Sequence, residues 1–133
     1  MVFIDASAAA AIVLDESDRE VLRQKLKSAS RRIMSAISTY EAVLAIRRVR
    51  QVEVAEAQDM VEQFQRIFSI ETRPIEARFA AAALDAFERF GRGQHHRAKL
   101  NMGDCFSYAC ARLLRVPLLC KGSDFIHTDI HIA

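Results

Sequence analysis

The sequence is poor in the residues that build disulfides and zinc sites. Only three of its 133 residues are cysteine, an odd number, and none has the CxxC or Cys/His spacing of a zinc site. We interpret them as small buried residues in a reducing compartment. The pair His95–His96 and the spaced His127 and His131 could be metal ligands, yet no cysteine or acidic partner completes a zinc set. These absences argue against a zinc protein.

Long hydrophobic runs are also missing. The apolar run from Val2 to Leu14 is interrupted by Asp5 and Ser7, and no basic segment precedes it. It is therefore neither a secretory signal nor long enough to span a bilayer. There is no internal repeat and no low-complexity tract, while 51% of the residues are hydrophobic and the net charge is only +2. We expect a single domain over residues 1–133, located in the cytoplasm without membrane contact.

Apolar runs and apolar periodicity predict an alternation of strands and paired helices. The predicted strands are Val2–Asp5, Ile33–Ser35, Ser69–Glu71 and Leu118–Cys120, with a short edge strand near Thr128–Ile130. The predicted helices are Ala8–Leu14, Val21–Ser30, Ser38–Val49, Val54–Phe68, Pro74–Phe87 and Asp104–Leu114. Because the run before Lys121 is wholly apolar, it suits a strand buried on both faces of a parallel sheet. This order favours an α/β sandwich with a mainly parallel sheet.

Four acidic residues fall where predicted strands end and predicted helices begin. Asp5 follows the first strand and Asp124 the fourth, while Glu41 and Asp104 lie near the starts of two helices. Right-handed crossovers bring these segments to one edge of the sheet, which is where open parallel sheets bind ligands. Like charges brought together cost free energy unless a cation or a proton relieves them. We therefore expect a cation site at this edge.

The chemistry of this set favours Mg²⁺, with Mn²⁺ as a substitute. Hard oxygen ligands without histidine or thiolate select these ions over zinc or copper. A pocket of that charge would bind one or two ions, polarise a phosphodiester and lower the pKa of a bound water for in-line attack.

Capping offers a simpler explanation for several of these residues. Asp5 alone would be explained as a local cap or turn former, and Asp104 stands where an N-cap belongs. Ser38–Glu41 has the spelling of a capping box, in which Glu41 would accept a hydrogen bond from the Ser38 amide. Ser17–Glu20 has the same spelling, and Ser7 is a candidate cap for the first helix.

Basic residues cluster in the segment Arg89–Lys99, which has two glycines and no acid. Two interpretations stay open, a solvated connection and a surface that contacts phosphate groups through Arg92, Arg97 and Lys99. We call these three residues the basic loop set. A second group, Arg47, Arg48 and Arg50, is predicted to lie on the solvated face of its helix.

Four segments together resemble the PIN-domain ribonucleases of the VapC toxin family. They are FIDASA at 3–8, STYEA at 38–42, LNMGDCFSYA at 100–109 and LCKGSDF at 119–125. The last two are the most specific. Ala6 stands where the family often has threonine, which puts no ligand in doubt.

The resemblance implies a PIN-like three-layer α/β/α sandwich with a mainly parallel sheet of four to five strands. It implies an endoribonuclease toxin that uses Mg²⁺ or Mn²⁺ at Asp5, Glu41, Asp104 and Asp124, and an RNA substrate that is often transfer RNA in this family. A homodimer, and a VapB-type antitoxin that blocks the site in a heterotetramer or larger assembly, are implied as well. We expect three serines, Ser7, Ser38 and Ser123, to contact and orient the acids without binding the metal themselves.

Other enzyme classes with acids at strand ends fit less well. A haloacid-dehalogenase-type phosphatase needs an aspartate two residues after the first, where this sequence has Ser7. A response-regulator receiver would want an acidic pair at the first strand's end, and only Asp5 is there. The rival that stays open is a catalytically silent PIN-like module that only binds within a toxin–antitoxin repressor complex.

Overall fold

A four-stranded parallel sheet organises the chain in the computed structural model, which describes all 133 residues. The strands lie in the order β3-β2-β1-β4, and every pairing between neighbours is parallel. In chain order the elements are β1 (Val2–Ile4), α1 (Ala6–Val13), α2 (Arg19–Ser28), β2 (Arg32–Ser35), α3 (Ala36–Arg50), α4 (Val54–Ile67), β3 (Glu71–Arg73), α5 (Ala77–Phe90), α6 (Met102–Leu114) and β4 (Leu118–Leu119).

Side chains of the strands alternate between two cores, one on each face of the sheet. Ile4 and Met34 point into a core built with α1 to α4, whereas Phe3 and Ile33 point into a core built with α5 and α6. None of the four is more than 1% exposed. The predicted three-layer sandwich with a parallel sheet is therefore confirmed.

Two predicted boundaries around β3 are wrong. The strand begins at Glu71 and not at Ser69, because Ser69 adopts a left-handed conformation with φ of 50° and so belongs to the turn after α4. The strand then runs to Arg73, directly before Pro74. Since the residue before a proline favours extended backbone, Pro74 follows a strand and lies outside α5, which begins at Ala77.

The predicted edge strand at Thr128–Ile130 does not form. The Thr128 hydroxyl instead donates to the Phe125 carbonyl at 2.7 Å, which keeps this segment in a turn. The pairing with β4 comes two residues later: the Leu118 amide donates to the His131 carbonyl at 2.8 Å. β4 itself ends at Leu119, one residue before the predicted end.

The predicted capping box at Ser17–Glu20 is absent too. Asp18 is the N-cap of α2, and its side chain makes no capping hydrogen bond. The cysteines are free, and Cys105 and Cys110 are buried as predicted. Burial raises the pKa of the Cys105 thiol to about 11 and that of Cys110 to about 12. None of the helices has the length and hydrophobicity that crossing a membrane requires.

Candidate active site

Asp5 follows β1 directly and is held by three hydrogen bonds. One carboxylate oxygen accepts from the Ser7 amide at 3.0 Å and the Ser7 hydroxyl at 2.5 Å. The other accepts from the Ser107 hydroxyl at 2.6 Å. Asp5 is only 5% exposed and is the N-cap of α1, so the prediction that Ser7 caps this helix is wrong.

Ser7 instead joins two loops at the edge of the sheet. Its hydroxyl donates to Asp5 and also accepts a hydrogen bond from the Lys121 amide at 3.0 Å. Lys121 begins the turn after β4, and this turn carries Asp124. One serine therefore ties the segment of the first acid to the segment of the last.

Glu41 lies further into its helix than the sequence suggested. α3 begins at Ala36, and its capping box is formed by Ser35 and Ser38, each of which donates its amide to the other's hydroxyl, at 2.9 and 3.1 Å. The predicted box of Ser38 and Glu41 is therefore wrong. Because Glu41 lies in the second turn and caps nothing, the simpler explanation of its carboxylate no longer applies.

Gly103 makes room for Glu41 against α6. A Cβ atom placed at Gly103 would overlap the Glu41 carboxylate, so a larger residue there would make the Glu41 side chain turn away. With glycine at this position, Glu41 lies among the other acids. Burial, followed by the charges of Asp5 and Asp104, raises the pKa of the Glu41 carboxyl from 4.5 to about 7.

Asp104 is the third residue of α6 and not its N-cap, contrary to the prediction. The cap is Asn101, whose side chain accepts from the Asp104 amide at 2.9 Å while the Asp104 carboxylate accepts from the Asn101 amide at 3.1 Å. Burial raises the pKa of Asp104 to about 6; the hydrogen bond from Asn101 opposes this rise, and the charges of Asp5 and Asp124 add to it.

All four acids line one open cavity of about 680 Å³. Asp5 comes from the end of β1, Glu41 from α3, Asp104 from α6 and the exposed Asp124 from the turn after β4. The structure thus brings together the four acids that the sequence singled out.

The donor set of this cavity fits a hard divalent cation, because carboxylate oxygens line it and no histidine or cysteine does. As the side chains lie, no three of them already form a group that would hold an ion. Binding would therefore draw the acids closer together. The raised pKa values of Glu41 and Asp104 reflect the repulsion and burial that a cation would offset.

The basic loop set lines a cavity of its own and approaches the acids through Arg92. Arg92, Arg97 and Lys99 are exposed and together line a second open cavity of about 810 Å³. Arg92 also borders an apolar groove between α5 and α6 that shares Asn101 and Met102 with the acid cavity. The set therefore lies on the α6 side of the acids.

The two other predicted supporting serines do not touch the acids. Ser38 is buried in the capping box with Ser35. Ser123 is exposed in the turn before Asp124, where its carbonyl accepts a hydrogen bond from the Ile126 amide at 3.3 Å. Neither donates a hydrogen bond to a carboxylate of the cavity.

Sequence reasoning missed Ser107 and Gly103, which support Asp5 and Glu41. Ser107 follows Asp104 by three residues, the spacing of one helical face, and this was the available signal. For Arg47 and Arg48, the sequence predicted only a position on a solvated face. Both are exposed, but they line the acid cavity because α3 continues along its wall.

Comparison with known proteins identifies the family. Residues 2–130 match the family model of the PIN domain. Ribonuclease VapC42 of Mycobacterium tuberculosis (strain ATCC 25618 / H37Rv) is 36% identical over 130 residues, which are 98% of this chain and 97% of the relative. Ribonuclease VapC28 of the same strain is 40% identical over 131 residues, covering 98% and 96% of the two chains. The chain belongs to the VapC family of PIN-domain ribonucleases.

A more distant VapC protein shares the fold. The crystal structure of Mycobacterium tuberculosis VapC20, described as a sarcin-ricin loop cleaving toxin, superimposes with a TM-score of 0.78 over 100% of this chain and 98% of that one. The sequence identity is 15%, so this likeness concerns the fold alone. The family and the fold that the four segments implied are confirmed, and the VapC relatives are named for the ribonuclease activity that the sequence predicted.

Proposed function

We propose that this VapC-family protein is a metal-dependent endoribonuclease in which Asp5, Glu41, Asp104 and Asp124 hold Mg²⁺, or Mn²⁺ in its place. The observation that carries the proposal is the convergence of these four acids on one open cavity. When bound, such an ion supplies polarisation of the phosphodiester and a water of lowered pKa.

The chain's own residues divide the work. Asp5 accepts three hydrogen bonds from Ser7 and Ser107. Its carboxylate is therefore held in one position, and the other acids can move relative to it. Burial and the charges of Asp5 and Asp104 raise the pKa of the Glu41 carboxyl to about 7, so this acid gains most from a cation that offsets the repulsion. Asp124 is the only exposed acid of the four, so its carboxylate is the most accessible from solvent.

The basic loop set is the proposed contact for the phosphate groups of RNA. Its three side chains are exposed, and Arg92 brings the set toward the acids on the α6 side. Its positive charges complement an RNA backbone, which the acids alone would repel. Within RNA, transfer RNA is the proposed target.

The proposed setting is that of a toxin–antitoxin pair in the cytoplasm. In it, residues 1–133 form a single PIN domain, two copies form a homodimer, and a VapB-type antitoxin covers the acid cavity in a heterotetramer or larger assembly. Support comes from the VapC relatives, which match nearly the whole chain.

The test is cleavage of a broad pool of transcripts by purified protein free of any partner, in Mg²⁺ and in Mn²⁺. Asp5→Asn and Asp104→Asn should each abolish cleavage, and their folded state is checked by circular dichroism. Asp59→Asn is the matched control, because Asp59 is an exposed acid on α4 away from the cavity. Absence of cleavage by the wild type in both metals would contradict the enzyme proposal and leave the binding module.

A further inference from the structure

The wall of α3 that carries Glu41 continues past the acids as a strip of exposed side chains. Tyr40, Leu44, Arg47 and Arg48 all line the acid cavity. Tyr40, Leu44 and Arg47 follow one another at helical spacing, so they share one face of α3. We call these four residues the α3 strip.

The two arginines of the strip have no partner within the chain. Neither Arg47 nor Arg48 forms an ion pair or a side-chain hydrogen bond, whereas Arg31 and Arg89 are both paired with carboxylates. Arg48 lies seven positions after Glu41, about 10 Å along the helix axis, so it stands outside the acid cluster. Two unpaired positive charges therefore border a site proposed to take an anionic polymer.

The aromatic residue of the α3 strip also makes no polar contact within the protein. Tyr40 is 63% exposed, and its hydroxyl makes no hydrogen bond with the protein. It directly precedes Glu41 in sequence. An exposed aromatic ring next to unpaired arginines is the composition of sites that bind single-stranded nucleic acid, in which bases stack on the ring and cations hold the backbone.

From this arrangement we propose that the α3 strip binds single-stranded RNA beside the cleaved phosphate, with Tyr40 stacking on a base and Arg47 and Arg48 holding phosphate groups. The inference rests on the proposed ribonuclease function. The basic loop set lies on the α6 side of the acids and the strip on the α3 side, so the two contact different parts of one strand. Charge favours RNA over a protein partner, since the strip is half cationic and has no acid.

The first test measures binding of a fluorescently labelled oligoadenylate by anisotropy, in EDTA so that no cleavage occurs. Arg47→Gln/Arg48→Gln should weaken binding and reduce the slope of log K against log salt by about 1.4, or roughly 0.7 for each lost phosphate contact. The matched control is Arg50→Gln/Arg66→Gln, which removes the same charge from exposed positions outside the cavity. Equal slopes for the two double variants would overturn the proposal.

The second test isolates the ring of Tyr40. Tyr40→Phe keeps the stacking surface and should bind RNA as the wild type does, whereas Tyr40→Leu keeps only apolar area and should lose roughly 5- to 150-fold in affinity. Unchanged binding by Tyr40→Leu would overturn the stacking role. If the arginine variants also bind RNA as their controls do, the strip is left to a protein partner.

Cleavage assays keep this inference separate from the function on which it rests. A wild type that cleaves RNA in Mg²⁺ while the strip variants match their controls would refute the strip alone. A wild type that binds RNA through the strip but cuts none in either metal would refute the proposed enzyme and leave the strip standing.

Discussion

Replacing Glu41 by glutamine should stabilise the metal-free protein, and only at a pH where the carboxyl would be ionised. Burial and the charges of Asp5 and Asp104 raise the pKa of this carboxyl to about 7 from an ordinary 4.5. The folded protein thus binds the proton more tightly than the unfolded chain, and ionisation weakens the fold. The cost is absent below pH 4.5, grows as the pH rises to about 7, and is constant above that.

The expected gain in the free energy of unfolding follows from the size of this pKa shift. A rise from 4.5 to about 7, at 1.36 kcal/mol per pH unit, sets an upper limit of about 3 kcal/mol. Water reaches part of the side chain and screens the charges, so we expect about 1 to 2 kcal/mol at pH values near 8. Glutamine keeps the shape, and no hydrogen bond is lost because the Glu41 carboxylate accepts none within the chain.

The assay is urea unfolding in EDTA, near pH 8 and again near pH 4.5. Ser38→Ala is the control, since it removes the hydroxyl that accepts the Ser35 amide at 2.9 Å and should cost about 1 kcal/mol at both pH values. If Glu41→Gln stabilises the protein equally at both pH values, or destabilises it near pH 8, the reasoning is refuted. In cleavage assays Glu41→Gln should lose at least ~10- to 100-fold and Ser38→Ala little. Full activity of Glu41→Gln at limiting Mg²⁺ would reduce the site to three aspartates.

Three further predictions concern the metal, the basic loop set and Gly103. Mn²⁺ at about a hundredfold excess over its dissociation constant should stabilise the wild type by about 2.7 kcal/mol in thermal melts, and an equal gain in the Asp5→Asn/Asp104→Asn variant would place the ion elsewhere. Changing all three residues of the basic loop set to glutamine should lower the salt slope of RNA binding by about 2.1; an unchanged slope would return the loop to a solvated connection. Because the overlapping atoms are the end of the flexible Glu41 side chain, Gly103→Ala should cost little stability but turn the Glu41 carboxylate away from the other acids. Cleavage in Mg²⁺ should then fall by about 10- to 100-fold, and unchanged cleavage would contradict this role of Gly103.

Strands β1 and β4 were predictable because they are short apolar runs that bury both faces. Phe3 and Ile4 point to opposite cores, and a sequence without polar residues at these positions allows little else. The ends of elements were less predictable, since they depend on backbone conformation. The left-handed Ser69 delays β3, and nothing in the composition of that segment shows it.

The N-caps of α3 and α6 were each misplaced by three residues, for a related reason. Ser35, Ser38 and Glu41 are spaced by three, so the α3 segment offers two overlapping capping boxes. Asn101 and Asp104 are also spaced by three, and either could be the N-cap of α6. Packing chooses between them in the folded protein. β2 ends at Ser35 and α3 begins at Ala36 with no loop between, which leaves Ser35 as the only residue able to cap the helix.

This shift of the caps shows how differently the four carboxylates are held. Asp5 accepts three hydrogen bonds, of about four that a carboxylate can accept, and Asp104 accepts one from the Asn101 amide. Glu41 and Asp124 accept none, although Glu41 is partly buried among like charges. A buried carboxylate without donors destabilises the fold, and a divalent cation is the partner that would offset this cost for several acids at once. The free oxygens of Glu41, Asp104 and Asp124 can then move toward the ion while Asp5 stays fixed, which explains how acids that form no ready-made site could close on one.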